Sequence, residues 1–285
     1  MFKLTIYFVQ AIIIYLFFLI GRIFGIKIGR KFFSLIFLLF GPFLKSKNII
    51  NKNLDIFSLH KKDIDKISKV NEMWKNYEMT FIEYVYLNNL RKKNDHIKII
   101  GEENLTGVIK EKKPAIFVSG HFANFEMMSM EITKKKIELA TIYRPLNNIF
   151  LNPFMEFLRK KYVCSNQIKK GINGVREAIN FIKNKHSVAL MIDQRVSEGE
   201  QIDFFGKKAF TTTLPAQLSL KFSLDIIPVF IKRTKDNNFI IEFQKPLKGK
   251  NFKDKTDITK QLNKILERMV SRNPGQWIWT HNRWK

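Results

Sequence analysis

Apolar residues gather first at the N-terminus. Residues 4–20 are apolar apart from Thr5 and Gln10, and none is charged. As a helix they would run roughly 25 Å, at the short end for a bilayer crossing. No small-x-small cleavage signal follows; the chain continues Gly21-Arg22-Ile23-Phe24. That favours a retained membrane-anchoring helix over a removed signal peptide, and a stretch apolar on every side suits lipid better than a core. A second apolar run, residues 32–44, is too short to span. It ends at Gly41-Pro42 and Lys45 and reads as a helix lying on the interface or packed on the main domain.

Beyond residue 48 the pattern changes. Ile64, Ile67, Val70, Met73, Trp74 and Tyr77 recur at helical spacing. Apolar runs at 97–100, 115–118, 137–143, 187–192, 226–231 and 239–243 predict strands. Helical patterns fall at 126–134, 153–162, 174–185, 214–222 and 258–271. Strands alternating with helices predict an α/β sandwich around a mainly parallel sheet. The expected organisation is an anchor and interfacial helix over residues 1–47, then one domain over residues 48–285.

The formal net charge of +25 attracts polyanions: nucleic acid, anionic lipid headgroups or an acidic carrier protein. No helix-turn-helix or aromatic RNA-binding motif supports the first, so no nucleic-acid partner is expected. Arg22, Lys27, Arg30 and Lys31 follow the apolar run, against Lys3 before it. The positive-inside rule then predicts a single-pass anchor with the main domain on the cytoplasmic side. Cys164 is the only cysteine, so no internal disulfide or cysteine-built zinc site is available. HExxH, EF-hand, P-loop and GxSxG patterns are all missing, and neither a metal nor a cofactor is expected.

The chemistry concentrates where the run Ala115-Ile116-Phe117-Val118 passes through Ser119-Gly120 into His121-Phe122-Ala123-Asn124-Phe125-Glu126. A histidine at a strand-to-helix turn is a general base, and Glu126 in the first helical turn is its expected orienting acid. Such a pair can take a proton from a hydroxyl, as acyl transfer to an alcohol requires. Spacing alone says little, since His60 and Asp65 share it without a buried strand before them. Context separates the two, because open α/β sheets build sites at the C-terminal ends of their strands. Arg144 and Asp193 also end predicted strands, and would meet His121 at that edge.

Here the chain resembles a family. His121 to Glu126 is similar to the HX4(D/E) motif of glycerolipid acyltransferases, and more closely to the lauroyl and myristoyl transferases of lipid A synthesis. Tyr143-Arg144-Pro145, Asp193-Gln194-Arg195 and Phe204-Phe205-Gly206 follow in the family's order. The ending Gln276-Trp277-Ile278-Trp279-Thr280-His281-Asn282-Arg283-Trp284-Lys285 resembles that branch's Trp-rich C-terminus. Phe125 stands where the family often has Trp, and Asn282 where a basic residue is common. The resemblance implies an O-acyltransferase of the bacterial inner membrane. It would move a fatty acyl chain from an acyl carrier protein thioester to a hydroxyl of a lipid A precursor, with His121 and Glu126 catalytic. Arg144, Asp193, Gln194, Arg195 and Arg283 would bind substrate, Arg144 at the oxyanion or a lipid phosphate and Arg283 at phosphate. The tryptophans would serve as core or as an interfacial belt. A lysophospholipid or glycosylated phospholipid acceptor is the alternative.

Overall fold

All five residues of Ala115–Ser119 are buried in the computed structural model, because this strand lies inside a sheet covered on both faces. The structure describes residues 2–44, 46–61 and 64–285, without the side chains of residues 37–44. The strands are β1 (Ile97–Ile100), β2 (Ala115–Ser119), β3 (Leu139–Tyr143), β4 (Asn166–Lys169), β5 (Ser187–Met191), β6 (Glu200–Phe204), β7 (Lys207–Thr211), β8 (Asp225–Arg233), β9 (Phe239–Phe243) and β10 (Leu247–Lys248). The helices are α1 (Phe2–Phe24), α2 (Ile26–Leu44), α3 (Lys47–Ser58), α4 (Lys66–Glu83), α5 (Leu87–Lys92), α6 (Thr106–Ile109), α7 (Glu126–Lys134), α8 (Asn152–Tyr162), α9 (Ile172–Lys183), α10 (Leu214–Phe222) and α11 (Lys255–Arg272).

The main sheet runs β1-β9-β8-β2-β5-β3-β4, with β10 beside β8. Pairing is parallel except for β8 with β9 and with β10. This is the predicted α/β sandwich around a mainly parallel sheet. Alternate residues feed two cores. Ile116, Val118, Val188 and Leu190 pack with α3, α9, α10, α11 and the C-terminal tryptophans. Ala115, Phe117, Ala189 and Val229 pack with α5, α7 and α8. β4 and the β6–β7 hairpin were not predicted. β4 buries one residue of four at a sheet edge, so it has no apolar run to notice.

The N-terminal helix departs from a free-standing span. α1 is long and apolar enough to cross a membrane, yet one side of it is docked along the domain. Asn148 Nδ2 donates to Tyr7 O (2.7 Å), Tyr15 Oη to Phe150 O (2.8 Å) and Tyr86 Oη to Gly21 O (2.5 Å). Gly21 is a matter of space: a Cβ there would stand 2.2 Å from Ile82 Cδ1. The other side exposes Leu4, Phe8, Ile12, Leu16, Leu19 and Ile23. The helix is thus bonded to the domain from Tyr7 to Gly21 while its opposite side stays apolar and exposed. α2 continues past Gly41-Pro42 to Leu44, and Lys45 lies outside the described residues. Asp65, the acid of the coincidental His60 pattern, caps α4 by accepting from Ser68 N (3.1 Å).

Candidate active site

Parallel pairing of β2 with β5, and of β5 with β3, carries His121, Asp193 and Arg144 to one edge of the sheet. His121 follows β2 by one residue beyond Ser119, and that residue has to be glycine. A Cβ on Gly120 would lie 2.8 Å from Phe122 Cε2 and 3.3 Å from Asp193 Cβ. Asp193 grips His121 twice. The His121 backbone N–H donates to Oδ2 and the ring Nδ1 lies on Oδ1, both at 2.8 Å. Trp277 Nε1 donates to Oδ2 as well (2.9 Å).

Asp193 is 3% exposed. Burial by itself would raise its pKa, but the His121 ring and these donors prevail and hold it down at about 2. The ionised carboxylate favours the tautomer with the proton on Nδ1, leaving the lone pair on Nε2. Phe125 meets the imidazole edge-on, with ring centroids 4.7 Å apart. The arrangement is a histidine base oriented by a buried acid, and that acid comes from the end of β5.

Glu126, expected to hold the ring, is engaged elsewhere. Its Oε1 accepts from Tyr84 Oη (2.5 Å) and Arg159 Nε (2.7 Å), and Arg159 Nη2 reaches Tyr84 Oη (2.6 Å). Glu126 starts α7 and Arg159 lies in the last turn of α8, so the ion pair locks the two helices together. Burial would lower the Arg159 pKa, but Glu126 and Tyr84 outweigh it and raise it. Arg159 Nη1 remains buried without a partner.

Arg159 lines a cavity of about 510 Å³. Its lining includes Phe125 and Trp277, which touch His121 and Asp193, and Tyr7, Gln10 and Ile14 of α1. The cavity is mainly apolar, and among the described residues Arg159 is the one charged residue in its lining.

The remaining predicted residues divide. Arg144 is exposed on the rim, where Lys170 N bonds Tyr143 O (2.8 Å) and brings a second cation alongside. Among the described residues no hydrogen bond joins Asp193 to Arg144. Gln194 is half-buried on the same loop. Arg195 ties down the C-terminus, its N–H donating to His281 Nε2 (2.8 Å) and its Nε to Lys285 O (3.2 Å). Arg283 departs from the expected phosphate contact. It is fully buried, donates to Phe210 O and Thr211 Oγ1, and lies over the Phe204 ring. Trp277, Trp279 and Trp284 are core. Among the described residues no three of His, Cys, Asp or Glu gather as a metal set.

Arg159, Tyr84 and His281 stand beside the site without having been among the residues the sequence pointed to. His281 is neutral at ordinary pH, because burial drives its pKa down to about 4. Its place within the Trp-rich ending was the one signal available.

A sequence profile described as bacterial lipid A biosynthesis acyltransferase matches residues 1–285. The chain belongs to the bacterial lipid A biosynthesis acyltransferases. Among curated relatives, the lipid A biosynthesis palmitoleoyltransferase of Escherichia coli K12 is 25% identical over 255 residues, covering 86% of this chain and 80% of that protein. A lipid A biosynthesis acyltransferase of Shigella flexneri is similar to the same extent. Among solved structures, the 1-acyl-sn-glycerophosphate acyltransferase of Thermotoga maritima aligns with a TM-score of 0.43 at 16% identity, covering 87% of this chain and 99% of that one. Membership makes this acyltransferase an enzyme of lipid A synthesis with a lipid A precursor as substrate.

Proposed function

We propose that this acyltransferase moves a fatty acyl chain from an acyl carrier protein thioester to a hydroxyl of a lipid A precursor, with His121 as general base and Asp193 as its orienting acid. The observation that carries the mechanism is the 2.8 Å bond between His121 Nδ1 and Asp193 Oδ1, whose neighbours Phe125 and Trp277 line an apolar cavity. Nε2 takes the acceptor's proton as its oxygen attacks the thioester carbonyl. The oxyanion collapses and the C–S bond breaks. The carrier's thiolate leaves and recovers the proton from the imidazolium, which Asp193 stabilises meanwhile. Transfer is direct: Ser119, the hydroxyl next to the motif, is 1% exposed and bonded to Val229 O at 2.7 Å.

The cavity would take the acyl chain, with the Arg159 guanidinium as the one cation among its described lining residues. Glu126 would act through Arg159 as a positioning residue. Arg144, with Lys170, would meet a phosphate of the acceptor, and Gln194 would line the same rim. The charge of +25 suits an acidic carrier and an anionic acceptor. The exposed side of α1 would lie in the cytoplasmic leaflet of the inner membrane, with the domain in the cytoplasm.

The test is an assay of detergent-solubilised protein with acyl carrier protein thioesters and lipid A precursors, read by mass spectrometry. Wild type should add one chain and His121→Ala should add none. Equal rates would sink the proposal, as would failure of every precursor to accept a chain.

A further inference from the structure

The loop that carries His121 is held from behind. Ala123 has φ +46°, a left-handed backbone that a non-glycine residue adopts only when its surroundings impose it. Thr80 Oγ1 (2.8 Å) and Asn76 Nδ2 (3.3 Å) donate to its carbonyl, and its own N–H donates to Gln276 O (3.1 Å). The next residue, Asn124, donates to Glu83 Oε2 (2.8 Å), while its Oδ1 accepts from Glu126 N (3.2 Å).

Glu83 is fully buried between two arginines. Arg233, at the end of β8, binds both of its oxygens and also reaches Asn76 (3.0 Å) and Thr80 (3.3 Å). Arg30, on α2, binds Oε1 through Nε (2.7 Å) and Nη2 (2.6 Å). Burial would raise the Glu83 pKa, but the arginines win and keep it ionised. Arg233 also exchanges two bonds with Gln276, through N to Oε1 (2.7 Å) and from Nε2 to O (2.8 Å). Gln276 precedes Trp277, the third donor to Asp193.

We infer that Arg30 and Glu83 are positioning residues for catalysis, and that through them the docking of α2 on α4 sets the geometry of the His121 loop. The unbroken chain is Arg30–Glu83–Asn124, with Arg233 and Gln276 carrying the same constraint to Asp193. A cation on the helix next to the anchor thereby fixes a loop at the sheet edge. A buried ion set of this kind is weak support for stability, and here it is its reach from α2 to the His121 loop that argues for fixing one arrangement. Misplacement of reacting groups by about 1 Å costs up to ~100-fold in rate, so a loosened loop is costly. The inference rests on the acyltransferase reading for its kinetic readout.

The informative variant is Arg30→Gln, because Glu83 keeps Arg233 as its counter-ion. Full-length protein in detergent should keep its thermal midpoint within a few degrees and bind acceptor with unchanged KM. Its kcat should fall about tenfold, which corresponds to about 1.4 kcal/mol, within the range of coupling along such networks. Backbone amides of residues 122–126 should exchange hydrogen faster, and Arg30→Lys should restore part of both losses. Asn124→Ala should show the same loss, and the double variant should lose little more than either single one. Unchanged exchange with normal kcat in Arg30→Gln overturns the inference, as do additive losses. If wild type transfers no acyl chain, the activity reading is what has failed, and the exchange measurement still decides the inference. Glu83→Gln is the harsher variant; should it not fold, the Arg30 series stands alone.

Discussion

Asp193 holds His121 at two points, through the ring Nδ1 and through the backbone N–H, each at 2.8 Å. The double grip fixes the side chain and the turn that presents it. It comes from a residue 72 positions away in sequence, whereas the acid in the His121 motif faces Tyr84 and Arg159.

Asp193→Asn should keep the fold and most of the acceptor affinity while losing the anion that favours the productive tautomer. A fall in kcat of about 10³- to 10⁴-fold is expected by analogy with other histidine–aspartate pairs. Steady-state kinetics against Glu126→Gln makes the comparison. A normal rate in Asp193→Asn would remove Asp193 from the mechanism.

Acid should destabilise the fold in two stages. His281 has a folded pKa of about 4 against 6.5 unfolded, so the unfolded chain binds more protons between those values and stability falls as pH drops from 6.5 towards 4. Asp193, held at about 2 against 3.8, contributes stability above pH 3.8 that is lost as pH falls from there through 2. Thermal midpoints should show both limbs in wild type. His281→Gln should flatten the upper one and Asp193→Asn the lower, and an upper limb unchanged in His281→Gln would exclude that residue.

If the cavity holds the acyl chain, its α1 wall is part of the specificity. Ile14→Trp would fill space beside Leu151 and Met155. Competition between donors of different chain length should then shift towards shorter chains, with membrane association unchanged. An unaltered chain profile would leave α1 as an anchor only.

Arg283→Leu separates burial from phosphate contact. Removing a buried guanidinium takes one donor each from Phe210 O, which keeps Val196 N, and from Thr211 Oγ1, which keeps Asn263 Nδ2, and uncovers the Phe204 ring, so about 2 kcal/mol of stability should go. Denaturant titration reads it directly. A stable variant with weakened acceptor binding would restore the surface role that the sequence suggested.

The gap between Arg283 and its expected role is instructive. The terminal Arg-Trp-Lys looks cationic and peripheral, but Phe204, Phe210 and Thr211 close over it from the β6–β7 hairpin. That hairpin buries Ile202, Phe204, Phe205, Ala209 and Thr211, and was itself not predicted. Without the hairpin, the tryptophans of the C-terminal pattern allow core or interface equally, and nothing marks Arg283 itself for burial.

Sequence by itself determined the alternation of strands and helices, the strand-to-helix turn at His121, the strand-end positions of Arg144 and Asp193, and the length and apolarity of α1. These follow from local periodicity and chain order, which one dimension records. Tertiary structure decided which carboxylate meets His121, that Glu126 serves Arg159, that Arg283 is core, and that α1 lies along the domain. Each is a pairing across tens to hundreds of residues, and close approach in space fixes such pairings. The His-x4-Glu spacing places the acid in the first turn of α7, and only the parallel register of β2 with β5 brings Asp193 to the ring instead.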